Sequence, residues 1–170
     1  RGQFLAISAG ISHGGGQNHP GLLSQTPRNR KVLHSLFTSL PFKRISGLTN
    51  DMFKSYSPRL HNFYPDTLSG LHATDSSLVP PIEGSAFAAC TVNFGPRTVT
   101  APHWDIGNLS WGWCSVTTLG NFDYELGGHI VLWDINRYAE FPPGTTTMLP
   151  SAILHHSNTP VAPHETRYSI

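Results

Sequence analysis

The second half of the chain is divided into short runs of β-type residues, and this pattern limits the fold more than any other feature. Val, Ile, Thr and aromatic residues fill the runs, while Gly-Pro, Gly-Asn, Gly-Gly and Pro-Pro-Gly separate them. The 170 residues include 16 Gly and 14 Pro, which disfavours a helical bundle or a coiled coil. Many short strands at such spacing predict a β-sandwich or barrel. The expected strands are 87–93, 97–101, 113–119, 129–134, 145–149, 152–156 and 166–170.

The first half of the chain has a helical period instead. Thr26-Pro27 is typical of a helix start, and the apolar spacing that follows predicts a helix that ends at Pro41. A second helical stripe starts near Asn50, where Pro58 and Pro65 should kink or split it. Residues 73–84 are rich in Ser, Pro and Asp and are expected to form a loop. The predicted fold class is therefore α+β, with helices first.

Length and charge indicate one domain with two different layers. A chain of 170 residues suffices for one domain, which we divide into a loop and helical layer (1–84) and a β-core (85–170). The net charge of +1 conceals an asymmetry, because residues 1–60 carry +7 and residues 61–170 carry −6. No run of about 18 apolar residues exists to cross a bilayer, so no membrane role is expected.

The segment His103-Trp104-Asp105 is the first candidate for chemistry. In an extended segment, residues i and i+2 point to the same side, so His103 and Asp105 can aim at one point. A second histidine must come from another strand, and either His155 or His156 could supply it. Two His and one carboxylate form the facial triad that binds Fe(II) in oxygenases.

Arg167 and Ser169 follow His156 at a spacing that suggests one strand, a turn and the next strand. A guanidinium binds a carboxylate through two parallel hydrogen bonds, and a serine hydroxyl can add a third. An iron-bound keto acid needs such an anchor for its far carboxylate. The combination predicts a 2-oxoglutarate/Fe(II) oxygenase core. The competing interpretation is a solvated Arg at a strand end, beside unrelated histidines.

Other features of the sequence exclude several functions. Cys90 and Cys114 lie in apolar runs, outside any CxxC pair, and are expected to be free buried thiols. HExxH is absent, which excludes a zincin, and the HGGG run at 13–16 has no accompanying GxSxG nucleophile. His129 lies in an apolar run and is expected to be a satisfied core histidine.

The chain resembles fungal, transposon-associated 2-oxoglutarate oxygenases of the Tet/J-binding-protein-like class, from about residue 8 to its end. The motifs that carry the resemblance are Gly14-Gly-Gly-Gln17, Arg28-Asn-x-x-Val32-Leu33, Phe94-Gly-Pro-Arg-Thr-Val-Thr100, His103-x-Asp105-x-x-Asn108, Gly127-Gly-His129, Glu140-Phe-Pro-Pro-Gly144, His156-Ser-Asn158 and Glu165-Thr-Arg-Tyr-Ser169.

The resemblance implies a double-stranded β-helix, or jelly-roll, core behind a helical layer. It also implies oxidation of the methyl group of 5-methylcytosine in DNA, with O₂ as oxidant and Fe(II) and 2-oxoglutarate as cofactors. His103, Asp105 and His156 would ligate the iron, since the His-Ser-Asn pattern selects His156 over His155. Arg167 would bind the distal carboxylate of 2-oxoglutarate, with Ser169 in support.

Further residues are implied around the cosubstrate and the base. Arg97 matches a position that reaches the cosubstrate in related enzymes. Asn108 matches a place where an amide can face the substrate base, although it could equally close the turn after Asp105. The loop Gly14–Gln17 resembles a substrate or hairpin loop, since glycine lets the backbone approach a ligand.

A methylcytosine in duplex DNA must be flipped out to reach such a pocket, so phosphate contacts are needed. Arg28, Arg30 and Lys31 form the best basic cluster for that role, against the alternative of a merely solvated helix face. We expect a monomer in the nucleus. The alternatives are a non-catalytic nucleic-acid-binding relic of a mobile element, or the same core acting on RNA or protein.

Three departures from the family pattern bear on this interpretation. Pro65 interrupts a helix that is continuous in relatives. Trp104 stands where relatives often carry Arg. The sequence stops at Ile170, one residue after Ser169, whereas relatives continue along that strand. We therefore expect a fragment of a longer intracellular protein, with the jelly roll truncated at its C-terminal side.

Overall fold

The structure, a computed structural model, describes residues 4–170 and divides them into two units. One unit is Ser8–Thr91, and the other is Val92–Ile170 together with the segment that ends at Ile7. Helices and antiparallel strands are both present, in agreement with the predicted α+β class. The unit boundary lies seven residues after the predicted change from helical layer to β-core at 84–85. That the two parts form one oxygenase domain stays a prediction.

The Ser8–Thr91 unit contains three helices, namely α1 (Pro27–Phe37), α2 (Leu40–Tyr56) and α3 (Pro58–Thr74). Thr26 caps α1 as predicted, because its hydroxyl accepts a hydrogen bond from the Asn29 backbone N–H at 3.2 Å. Each helix has a proline in its first two positions, where no intrahelical N–H bond is lost.

Two predictions about these prolines were wrong. Pro41 does not end a helix but lies in the first turn of α2, so this helix starts ten residues before the predicted Asn50. Pro65 lies inside α3 without splitting it, whereas Pro58 separates α2 from α3 as predicted. A proline is tolerated in a first turn, and sequence alone does not distinguish that position from a helix end.

Phe53 is at the centre of this unit and is fully buried. Its ring stacks on Phe87 at 5.5 Å and meets the edge of Tyr64 at 5.0 Å. Asn50, one turn earlier on α2, accepts a hydrogen bond from the Ala86 N–H through its side-chain oxygen. The loop after α3 is thereby attached to α2.

Two strands that the sequence pattern did not predict precede the helices. They are β1 (Leu5–Ser12) and β2 (Gly21–Leu22), which pair antiparallel with Ile11 opposite Leu22. Consecutive glycines lie between them, and Gly14, Gly15 and Gly16 all have positive φ angles. These backbone angles favour glycine, which explains why the hairpin loop has this composition.

The remaining strands are β3 (Ala89–Phe94), β4 (Cys114–Asn121), β5 (Ile130–Leu132), β6 (Arg137–Ala139), β7 (Thr146–Leu149), β8 (His156–Asn158) and β9 (Thr166–Ser169). They form an antiparallel group in the order β3-β9-β4-β7 and a three-stranded sheet in the order β6-β5-β8. A 3-10 turn at Trp133–Ile135 connects β5 to β6. Ile130, Phe141 and Leu149 form the buried centre of the unit that contains Val92–Ile170.

Five of the seven predicted strands are present with shifted ends. The other two predicted segments do not form strands. The segment 97–101 makes only an isolated bridge, between Arg97 and Arg167, and 152–155 is a turn that leads into β8. In both segments, isolated backbone contacts and side-chain hydrogen bonds fix the chain, and no continuous ladder of strand hydrogen bonds forms. Among the described residues, no helix is long and apolar enough to span a membrane.

Candidate metal centre and anion anchor

His103 and His156 lie opposite each other in an isolated antiparallel bridge. Their backbones exchange two hydrogen bonds, from His103 N–H at 3.0 Å and from His156 N–H at 3.1 Å. Opposed residues in such a bridge project their side chains to the same face, and the two imidazole rings are 4.3 Å apart. The bridge therefore brings together two histidines that are distant in sequence.

The hydrogen bond that Nδ1 makes decides the tautomer of each imidazole. Nδ1 of His103 is 2.9 Å from the carbonyl oxygen of Ala101, and Nδ1 of His156 is 2.8 Å from that of Leu154. Because a carbonyl oxygen only accepts, each Nδ1 must donate. This arrangement leaves Nε2 as the atom of each ring that can bind a metal, as in metal-ligating histidines.

The Asp105 carboxylate completes the group. Its oxygens lie 3.5 Å from Nε2 of His103 and 3.9 Å from Nε2 of His156. One ligand atom from each of the three residues lies within 4.8 Å of the others. Two ligands bonded to one metal at about 2.1 Å can be up to about 4.2 Å apart, so the two distances to the carboxylate suit a shared ion. Two imidazoles and one carboxylate are the donor set of non-haem Fe(II) sites.

Exposure of the three side chains differs. The His156 side chain is 10% exposed, whereas those of His103 and Asp105 are 32% and 31% exposed. Further ligands can therefore approach from the side of His103 and Asp105.

Ser151 holds the loop that carries Asp105. The residue is 1% exposed, and its carbonyl accepts the Asp105 N–H at 2.9 Å. Its hydroxyl accepts a hydrogen bond from the Asn108 side chain at 2.9 Å. Asn108 also closes the turn, since its N–H donates to the Asp105 carbonyl at 2.8 Å. The turn-closing alternative for Asn108 is thus realised, while its contact with a base stays a prediction.

Asn158 fixes the segment that leads to His103. Its side-chain oxygen accepts the Thr100 N–H at 2.8 Å, and its amide donates to the Thr159 carbonyl at 2.9 Å. Asn158 lies two residues after His156, so one side chain couples the segments that carry His103 and His156. The sequence signal for this role was the asparagine of the His-Ser-Asn motif.

Arg167 is a buried cation on β9. It is 2% exposed, and Nη1 donates to the Thr98 carbonyl at 3.0 Å. Its Nε is buried without a hydrogen-bond partner, and no carboxylate lies within salt-bridge distance of it among residues 4–170. Burial lowers the pKa of the guanidinium to about 10, so it remains charged at neutral pH. A buried cation with an unused donor is suited to an external anion such as a carboxylate.

Ser169 and Arg97 both lie close to Arg167 along the backbone, but their side chains bind different partners. Ser169 is 6% exposed, and its hydroxyl accepts a hydrogen bond from the Asn93 amide at 3.0 Å. Arg97 forms a parallel bridge with Arg167 through the backbone, but its guanidinium donates to the Pro163 carbonyl and lies over the Phe4 ring. Its predicted contact with the cosubstrate stays a prediction.

Glu165 shapes the turn that precedes Arg167. Its carboxylate accepts the backbone N–H groups of Asp123 and Ala162, both at 2.7 Å. These two hydrogen bonds lower the pKa of the carboxyl group. The ionised side chain therefore supports the entry into β9.

Apart from Asn108, the residues predicted to contact DNA lie in the Ser8–Thr91 unit. Arg28, Arg30 and Lys31 are exposed on the first turns of α1, and none has an acidic partner in the described part of the chain. Gln17 is exposed at the end of the glycine loop, within 3.4 Å of the Ser12 hydroxyl.

His129 differs from its expected state as a satisfied core histidine. Its Nε2 is buried and has no hydrogen-bond partner among the described residues. Its ring lies 5.4 Å from that of Tyr138. Both cysteines are free, as expected, and burial raises the pKa of Cys90 to about 12 and of Cys114 to about 11.

The fold is similar to that of a known structure. The structure of NgTET1 in complex with 5mC DNA matches 96% of this chain with a TM-score of 0.72 and 17% sequence identity. The chain covers 58% of the length of that protein. At this identity the match shows a shared fold. No protein-family model and no curated protein matches the sequence.

Proposed function

We propose that the chain is the core of a 2-oxoglutarate- and Fe(II)-dependent dioxygenase that oxidises the methyl group of 5-methylcytosine in DNA. The observation that carries the proposal is the convergence of His103, Asp105 and His156 on one point. The NgTET1 fold, solved with 5mC DNA, supports the choice of substrate. The two antiparallel groups of strands are inferred to be the faces of a double-stranded β-helix, in one domain with the helices.

His103, Asp105 and His156 would hold the metal ion through two Nε2 atoms and one carboxylate oxygen. When bound, Fe(II) with 2-oxoglutarate and O₂ supplies oxidation of a C–H bond, and 2-oxoglutarate leaves as succinate and CO₂. The Ala101 and Leu154 carbonyls keep both imidazoles in the tautomer that metal binding requires.

Arg167 would bind the distal carboxylate of 2-oxoglutarate. Its buried Nε is free to donate, and a carboxylate there would neutralise the buried charge. Ser169, whose hydroxyl already accepts from Asn93, can donate its own hydrogen to the same anion. Arg97 is assigned a supporting role toward the cosubstrate.

Arg28, Arg30 and Lys31 would contact DNA phosphates. Cations in the first turns of a helix are unfavourable toward the helix dipole, and α1 has no acidic residue in its first turn. A cost to helix stability at this place supports a binding role. Asn108 and Gln17 are assigned to the flipped base. A DNA substrate implies a nuclear protein, and we propose that it acts as a monomer.

Succinate formation tests the proposal. The protein is incubated with Fe(II), ascorbate, 2-oxoglutarate and duplex oligonucleotides that differ only in one methylated cytosine. Succinate should form faster with the methylated duplex, and not at all with His103→Ala. Equal turnover with both duplexes would favour the same core acting on RNA or protein. A folded protein without turnover would favour the non-catalytic relic.

A further inference from the structure

Trp104 and His155 form a stacked pair directly beside the candidate metal ligands. Their ring centroids are 3.9 Å apart and the planes differ by 13°. Trp104 follows His103, and His155 precedes His156. Neighbouring residues in extended segments point to opposite faces, so the stack lies on the opposite side of the bridge from the two ligand imidazoles.

The backbone connection that the stack covers is short. His103 and His156 exchange two hydrogen bonds in an isolated bridge, and β8 has only three residues. Such a bridge fixes the register of the two segments only weakly, because no further backbone hydrogen bonds extend the pairing toward His155. The stack adds a second constraint at that point.

His155 is itself firmly held. Its N–H donates to the Asp134 carboxylate at 2.6 Å, and its carbonyl accepts the Trp133 N–H at 2.8 Å. The Trp133 indole donates to the Ser157 hydroxyl at 3.0 Å. Both neighbours of His156 are therefore tied to the 3-10 turn. Asn158 joins this segment to that of His103 on the Thr100 side, and Trp104 joins the two at the other end, beside His155.

Trp104 is not placed there by core packing, since it is 47% exposed. We propose that the Trp104–His155 stack is a positioning element that holds His103 and His156 at the separation required for metal binding. The inference rests on the proposed function, because it needs the three residues to bind a metal. In this role Trp104 acts through the ligands, as a positioning residue.

The test is the affinity for Co(II), measured by calorimetry and by the visible absorption of the bound ion, without 2-oxoglutarate or DNA. Trp104→Ala should weaken binding by about 10- to 100-fold, the usual effect of losing a group that orients a metal ligand. Trp104→Phe retains a stacking ring and should restore most of the affinity. Ile106→Ala is the matched control, because Ile106 also adjoins Asp105 but is 87% exposed. It should bind as the wild type does.

Trp104→Ala that binds Co(II) as tightly as the wild type overturns the inference, as does Trp104→Phe that is as weak as Trp104→Ala. If Trp104→Ala fails to fold, His155→Ala and His155→Phe repeat the comparison from the other side of the stack. A wild-type chain that binds no metal overturns the proposed function together with the inference. A chain that shows the expected Co(II) series but never turns over 2-oxoglutarate supports the inference and overturns the proposed function.

Discussion

Gly120 of β4 lies directly opposite Arg167 of β9 in the antiparallel pair. Its φ is +123°, and a Cβ at this position would meet the Thr166 carbonyl oxygen at 2.2 Å. On the other side of the strand, a Cβ at Gly95 would meet the Arg167 carbonyl oxygen at 2.6 Å. Two glycines thus allow neighbouring backbone to approach the strand that carries the buried guanidinium.

Gly120→Ala should therefore destabilise the protein by about 2–4 kcal/mol, from steric overlap and an unfavourable φ. Urea unfolding measures the change. Gly47→Ala is the control, since Gly47 lies in α2 and a Cβ there has nothing within 4 Å. That variant should gain about 0.5–1 kcal/mol of stability through helix propensity. If both substitutions changed the free energy of unfolding equally, the argument that the backbone beside Arg167 leaves no space for a Cβ at Gly120 would be contradicted.

Arg167→Met should abolish binding of 2-oxoglutarate without lowering the stability of the free protein. The wild type buries a cation without a counter-ion among the described residues, and an apolar side chain removes that cost. A saturating ligand at one hundred times its Kd stabilises a protein by about 2.7 kcal/mol. Unfolding with and without 2-oxoglutarate and Mn(II) should show this gain in the wild type and in Arg137→Met, which changes an exposed arginine, but not in Arg167→Met.

The same anchor predicts a pH limit. Because burial lowers the pKa of Arg167 to about 10, the guanidinium is charged at neutral pH and loses its proton as the pH rises through about 10. The affinity for 2-oxoglutarate should fall above that pH. An affinity for 2-oxoglutarate that does not fall above that pH would contradict this limit, and retained affinity in Arg167→Met would show that the distal carboxylate binds elsewhere.

Alkaline pH should destabilise the fold through Cys90 and Cys114. Burial raises both pKa values from 9.0, to about 12 and about 11, so the folded state resists ionisation that the unfolded state undergoes. The contribution of the two thiols to the free energy of unfolding is fully present below pH 9. It is lost as the pH rises through 9 toward 11, by up to about 1.4 kcal/mol per pH unit for each thiol. Urea unfolding at pH 8 and 10.5 should show a smaller difference in the Cys90→Ala/Cys114→Ala variant. A thiol reagent that labels the folded protein at pH 8 as fast as the unfolded one would refute the burial argument.

Replacing Arg28, Arg30 and Lys31 by Ala should weaken DNA binding at all sequences and reduce its salt dependence. Each phosphate contact contributes about 0.9 to the slope of log K against log salt, so the slope should fall by about 2–3. Fluorescence anisotropy at several salt concentrations measures it. Stability should not decrease, because cations near the start of α1 oppose the helix dipole. An unchanged slope, equal to that of the control Arg137→Ala, would place the DNA contacts elsewhere.

The sequence predicts that His103 and Asp105 lie together, because the pattern that brings them together is local. His103 and Asp105 share a face through their spacing of two, and the helical and strand-rich halves follow from hydrophobic period. The choice between His155 and His156 needed the family motif. The structure gives its physical basis, since His156 faces His103 across the bridge while His155 stacks on Trp104.

The features that sequence reasoning missed depend on contacts between distant segments. Ser151 has no distinctive motif, yet its carbonyl and hydroxyl hold the Asp105 loop. The segment 97–101 has strand-like composition but is held by single contacts with Arg167 and Asn158 rather than by a ladder. Pro41 was assigned to the wrong end of a helix because a proline signals a boundary without saying which one.

Mass spectrometry of a duplex that contains 5-methylcytosine is the most direct test of the central claim. The duplex is incubated with the protein, Fe(II), ascorbate and 2-oxoglutarate in air, and its nucleosides are analysed. The account predicts 5-hydroxymethylcytosine in the wild-type reaction and unchanged 5-methylcytosine with His103→Ala. Unmodified DNA in a reaction in which the wild type consumes 2-oxoglutarate would contradict it.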